Sequence, residues 1–124
     1  MKKILFIAFA LSLGMMSCKK DNLAPVLTIT APTESQSVKT GTDLKITGKL
    51  TDDSLHELTV KITQTADGKE LFSTSPTVHD FTTYDINETW KPTVTVDTDM
   101  TLTVTAIDHK DNTVTKTVKF KVTK

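Results

Sequence analysis

From Pro25 onward, apolar residues recur at every second position. Val26-Leu27-Thr28-Ile29-Thr30 forms the first such run, bounded by Pro25 and Pro32. Leu44, Ile46, Gly48 and Leu50 then fall on one face, with Lys45, Thr47 and Lys49 on the other. Leu58, Val60 and Ile62 repeat the pattern with Thr59, Lys61 and Thr63 outward. A period of two places successive side chains on opposite faces, which is the pattern of a half-buried strand. Asp67-Gly68 supplies a turn, and Glu70 to Ser73 continues as a short edge strand. Thr77 to Ile86 is expected as a further strand in which Val78, Phe81, Tyr84 and Ile86 alternate imperfectly, and Thr93 to Val96 as a short one ending at Asp97. The last third is the most regular. Met100, Leu102, Val104 and Ala106 alternate with threonines, Asp108 to Asn112 turns the chain, and Val114, Val118, Phe120 and Val122 return. The pattern predicts an all-β domain of about seven to eight short strands, with no helical stretch after Cys18.

Composition sharpens this picture. Threonine accounts for 25 of the 124 residues, and a β-branched hydroxyl side chain suits a pleated surface with one wet face better than a helix. All 15 cations are Lys and are balanced by 15 acids. Without Arg there is no bidentate guanidinium clamp for phosphate, and a net charge of zero lacks the field expected of a nucleic-acid binder. The core is left to aliphatic side chains and to Phe72, Phe81, Tyr84, Trp90 and Phe120.

The first twenty residues carry a different pattern. Met1-Lys2-Lys3 is followed by an apolar run from Ile4 to Leu13, broken only at Ser12. The run is about ten residues, half the length a spanning helix needs, so it reads as a signal-peptide core. The single cysteine follows at Met15-Met16-Ser17-Cys18. This resembles a bacterial lipobox, with Met15 where Leu is commoner. The resemblance implies cleavage before Cys18 and attachment of acyl chains to it, with the membrane as a partner through the lipid anchor. Two or three chains hold a protein firmly where one does not. Loss of residues 1–17 leaves 107 residues with 13 Lys and 15 acids, too acidic for electrostatic docking on anionic lipid or DNA. Lys19-Lys20-Asp21-Asn22 serves as a solvated tether, or resembles the tract that exports some lipoproteins to the cell surface. Lys19 beside the cysteine favours the outer membrane by the usual sorting rule. The organisation expected is a signal peptide over 1–17, a lipidated cysteine and tether over 18–24, and one domain over 25–124.

Pro25 to Lys124 has the size of an immunoglobulin-like sandwich. The chain resembles the immunoglobulin-like domains of small surface lipoproteins and bacterial adhesins. The residues that carry the likeness are Pro25-Val26-Leu27-Thr28-Ile29, Gly41-Thr42-Asp43-Leu44-Lys45-Ile46, and Leu102-Thr103-Val104-Thr105-Ala106-Ile107-Asp108 before Asp111-Asn112. Members often carry V-x-A-x-D-x-x-G-N at the last place, and Asp111 stands here where Gly is usual. The resemblance implies an antiparallel β-sandwich and a habitat, without a reaction.

Candidate chemistry is sparse. His56, His79 and His109 lie far apart in sequence, with no His-x-x-x-His or Cys-His spacing, so the sequence by itself offers no zinc site. No Gly-x-Ser-x-Gly elbow or phosphate-cradling glycine loop is present, and no enzymatic activity is expected. Asp52, Asp53, Asp108 and Asp111 are candidate calcium ligands, since calcium wants six to eight hard oxygens; Asp and Asn in loops also serve simply as turn formers. Phe81, Tyr84 and Trp90 fall close together among Asp80, Asp85, Asn87 and Glu88. They are candidate glycan-stacking aromatics if exposed, and the lone Trp fills a core if buried. The function expected is a lipid-anchored outer-membrane binding or structural module that presents loops or an edge strand to a glycan or a partner protein. The alternative is a periplasm-facing envelope protein such as a small enzyme, inhibitor or assembly factor. Convergence or scatter of the three histidines discriminates the enzyme.

Overall fold

The computed structural model describes residues 23–124; the expected signal peptide, Cys18 and the Lys19-to-Asn22 tract lie outside the described residues. Eight strands are formed: β1 (Val26–Ala31), β2 (Ser37–Lys39), β3 (Leu44–Thr51), β4 (Leu55–Gln64), β5 (Glu70–Thr74), β6 (Thr83–Trp90), β7 (Thr98–Asp108) and β8 (Thr113–Thr123). They make a three-stranded sheet in the order β1-β3-β6 and a five-stranded sheet in the order β2-β8-β7-β4-β5. The chain changes sheet on either side of β2, between β3 and β4, and on either side of β6. The β7–β8 hairpin lies beside β4, opposite a sheet built from β1, β3 and β6, which is the immunoglobulin-like arrangement of a sandwich.

The alternation read from the sequence becomes the core. Leu27, Leu44, Ile46, Leu50, Leu58, Val60, Ile62, Met100, Leu102, Val104, Phe120 and Val122 are buried together between the sheets. Their burial removes apolar area from water at about 25 cal/mol per Å². The threonine face is wet, and threonines bond one another across strands: Thr30 to Thr47 at 2.7 Å, Thr65 to Thr101 at 2.8 Å and Thr105 to Thr115 at 3.3 Å. Gly48 is required by packing, because a Cβ there would run into the carbonyl oxygen of Thr28 on the paired strand.

Three expectations are corrected. Thr77 to Ile86 is not a continuous strand: residues 75–82 form a connection and the strand begins at Thr83. Thr93 to Val96 is not a strand either. These residues cross from one sheet to the other over the end of the sandwich, where the Val94 N–H donates to Thr40 Oγ1 at 2.9 Å instead of entering a ladder. Phe81 is not part of the core; it is 45% exposed. One strand lacked a sequence pattern altogether: β2 is three residues long and pairs in parallel with β8, too short to display a period.

Strand register sorts the loops into two ends. Val26 faces Thr51, Thr51 faces Thr83, Leu55 faces Asp108, and Ile107 faces Thr113. The entry of the chain at Leu23 to Pro25 therefore shares an end with the β3–β4, β5–β6 and β7–β8 connections. The opposite end holds the connections before and after β2, between β4 and β5, and between β6 and β7.

Candidate metal centre

At the end where the chain enters, His56 stands near the start of β4, His79 in the β5–β6 connection and His109 in the β7–β8 turn. One ligand atom from each lies within 4.8 Å of the other two. Ring centroids are 5.4 Å apart for His56 and His79, 4.7 Å for His56 and His109, and 4.6 Å for His79 and His109. This overturns the expectation that the histidines carry no zinc-type grouping: residues remote in sequence are brought together because three connections meet at one end.

Backbone hydrogen bonds hold the three segments in place. Leu55 accepts from Asp80 N–H at 2.9 Å and donates to the Phe81 carbonyl at 2.9 Å, so the β5–β6 connection is pinned to the residue preceding His56. His109 N–H donates to the Ser54 carbonyl at 3.0 Å. Within β4 the register slips between Leu55 and Glu57, which oppose Asp108 and Ile107, so His56 is the extra residue of a bulge. A bulge turns a side chain out of the regular alternation and is common beside functional sites. The sequence carried a trace of it: Leu55 and Leu58 are both buried although three positions apart, which strict alternation forbids.

Asp80 bridges two of the rings. Its Oδ1 lies 2.8 Å from His109 Nε2 and its Oδ2 lies 3.1 Å from His79 Nδ1. Asp80 adopts φ 65°, in the left-handed region that Asp tolerates better than most residues. His56 Nε2 lies 3.7 Å from Glu57. Its Nδ1 is buried and has no hydrogen-bond partner among the described residues. The cluster is reachable from solvent, with side-chain exposures of 39% for His56, 55% for His79 and 33% for His109. A cleft of about 380 Å³, lined by His56, Ser75, Val78 and His79 among others, opens beside it.

The four aspartates proposed as calcium ligands share this same end. Asp52, Asp53 and Asp108 line a recess of about 150 Å³ with His109. Their observed contacts are local. Asp52 Oδ2 accepts from the Ser54 N–H at 2.9 Å. Asp108 is 2% exposed and accepts three hydrogen bonds, from the N–H groups of Lys110 at 2.8 Å and Asn112 at 2.9 Å and from the Asn112 side-chain amide at 2.9 Å. Burial by itself would raise the Asp108 carboxyl, but the Asn112 side chain, the Asn112 and Lys110 N–H groups and the Lys110 charge outweigh it and hold the carboxyl below its ordinary value. Asp111 has φ 63°, a left-handed conformation that glycine adopts without strain.

The three aromatic candidates do not form one surface. Tyr84 and Trp90 sit six residues apart on β6, a separation of about 20 Å along an extended strand. Phe81 and Tyr84 pair at 6.4 Å between centroids near the end where the chain enters. Trp90 packs half-buried against the core and lies 6.5 Å from Phe72. Burial, and then the negative charge of Glu88, pushes the Tyr84 hydroxyl above its ordinary value.

No protein-family model and no curated protein matches the sequence. Among solved structures, an engineered protein superposes with a TM-score of 0.60 at 19% identity, covering 81% of this chain; the chain spans only 20% of that protein. The fibronectin(III)-like modules of Clostridium thermocellum CbhA align over 79% of this chain and 96% of their own, with TM-score 0.46 and 13% identity. A CARDB domain from Pyrococcus furiosus, solved in complex with di-metal ions, aligns over 80% of this chain and 89% of its own, with TM-score 0.46 and 15% identity. The first of these likenesses, at 19% identity, is one of fold alone.

Proposed function

We propose that the chain is a lipid-anchored, non-enzymatic module of the outer membrane that presents an immunoglobulin-like domain to a partner protein in the envelope. The observation that carries the reading is the polarity of the sandwich. The described chain enters at the end bearing the histidines, so an anchor at Cys18 would join the domain at that end and leave the opposite end for a partner. That opposite end bears a cleft of about 500 Å³ lined by Glu34, Asp99, Phe120 and Lys121, among others. Mixed charge at the rim, with Phe120 buried beneath it, suits the polar groups of a polypeptide surface better than a sugar ring. The separation of Trp90 from Phe81 and Tyr84 removes the three-residue stacking platform on which a glycan reading would rest.

The test is protease digestion of intact cells together with membrane fractionation, comparing the wild-type chain with Cys18→Ala and with a Lys20→Ala/Asp21→Ala double variant. The expected result is digestion of the domain on whole cells, release of Cys18→Ala from the membrane fraction, and protection of the double variant from external protease. Membrane retention of Cys18→Ala would overturn the anchor. Protection of the wild-type domain until the outer membrane is breached would overturn surface display. The alternative of a small periplasm-facing enzyme draws on the convergence of the histidines, and requires turnover that His109→Ala abolishes.

A further inference from the structure

We propose that His56, His79 and His109 bind a divalent late first-row transition ion, with zinc as its representative, and that Asp80 orients two of the ligating rings. The inference is independent of the anchor. The ligand type selects the ion: neutral imidazole suits zinc, copper and nickel, whereas calcium and magnesium demand oxygen. The spacing fits after a small closure. Nitrogens on a tetrahedral zinc at about 2.1 Å stand about 3.4 Å apart, so atoms within 4.8 Å of one another need to draw closer by at most about 1.4 Å.

A packed histidine–aspartate cluster is the competing account, and it leaves one atom unexplained. The two oxygens of Asp80 serve His109 and His79. His56 Nδ1, buried, receives nothing from the described residues. Buried polar atoms are satisfied in the great majority of cases, and one left without a partner points to an absent water or ion. The bulge that re-aims His56 toward the other two rings adds a second, independent mark, since an unbroken β4–β7 ladder would have kept it in the alternation. Asp80 meanwhile stands where carboxylates commonly orient metal-binding imidazoles by accepting from a ring nitrogen. An ion here would tie together the start of β4, the β5–β6 connection and the β7–β8 turn. Three protein ligands leave a fourth position open toward solvent.

The experiment uses the purified protein, stripped with a chelator and then dialysed against zinc chloride, with bound metal measured by mass spectrometry and cobalt(II) substitution read by visible absorption. The expected outcome is a single zinc per chain and the intense absorption of tetrahedral cobalt. Affinity should fall about 10- to 100-fold in Asp80→Asn and further in His56→Gln, His79→Gln and His109→Gln, with circular dichroism unchanged. Asp52→Asn should bind as the wild type does. Zinc retention equal to that of the triple His→Gln variant would overturn the proposal. So would a weak octahedral cobalt spectrum, or binding that survives the histidine substitutions and disappears with Asp52→Asn. If any single Gln variant fails to fold, the cobalt spectrum of the wild-type chain decides by itself.

Discussion

The two ends of the sandwich are closed in different ways. At the end away from chain entry, main-chain groups pair across the connections. Thr40 N–H donates to Thr123 at 2.7 Å, Gly41 N–H to Pro92 at 2.8 Å and Thr65 N–H to Asp99 at 3.0 Å, and Asp97 accepts from the Lys124 N–H at 2.9 Å. At the entry end similar bonds hold Leu55, Ser54, Asp80 and His109, but they converge on three imidazoles and a carboxylate. Among the described residues, the one buried side-chain polar atom lacking a partner is there, on His56. One end satisfies its polar groups with its own backbone, and the other holds ligand-type groups open. Local braces of similar kind can therefore either seal a sandwich or preorganise a site, depending on which side chains they carry.

The comparison can be broken most severely at Asp108. Asp108→Ala removes the acceptor for three N–H donors in the turn that carries His109, and we expect a loss of about 3 kcal/mol, since each orphaned donor costs about 1–3 kcal/mol in part-buried surroundings. Urea unfolding followed by circular dichroism measures it, and an unchanged midpoint would show that the turn is held by its backbone alone. The same carboxylate sets a pH dependence. Its folded value lies below the ordinary one of 3.8, so its contribution is complete above that value and is lost as pH falls through the lower folded value. The stability difference between wild type and Asp108→Asn should accordingly narrow on acidification below about pH 4.

At the opposite end the expected effect is smaller. Thr40 Oγ1 accepts from Val94 N–H at 2.9 Å and reaches the Pro92 carbonyl at 3.4 Å. Thr40→Val removes both bonds while keeping the shape, and should cost about 1 kcal/mol, with the histidine cluster and its metal binding unaffected. A change in zinc affinity would mean that the two ends are coupled through the strands. The smallest effect sharpens the comparison by stabilising the entry end. Asp111 holds a positive φ, and Asp111→Gly should raise stability by about 0.5–1 kcal/mol by relieving that conformation. A shift of about 3–6 °C in thermal midpoint is the corresponding readout for a domain of this size.

Much of the fold was legible because a strand announces itself locally. The faces of β3, β4 and β7 follow from alternation, and the turn from Asp108 to Asn112 follows from residues that bond their own backbone. The connections were less legible. Val94 looked like a strand residue because its neighbours alternate, yet the bond from its N–H to Thr40 belongs to a crossing between sheets. Phe81 and Val78 looked like one strand with Tyr84 because apolar residues continue through the stretch, while the backbone there bends to meet Leu55.

The sequence by itself determined the class of element, which faces are dry and the turn that joins β7 to β8, because these depend on neighbours two to four residues apart. Only the tertiary structure decided that His56, His79 and His109 share one end, that His56 is turned toward the others by a bulge, and that Trp90 stands away from Phe81 and Tyr84. Those outcomes depend on strand order and register, and a period of two is the same whichever strand lies alongside.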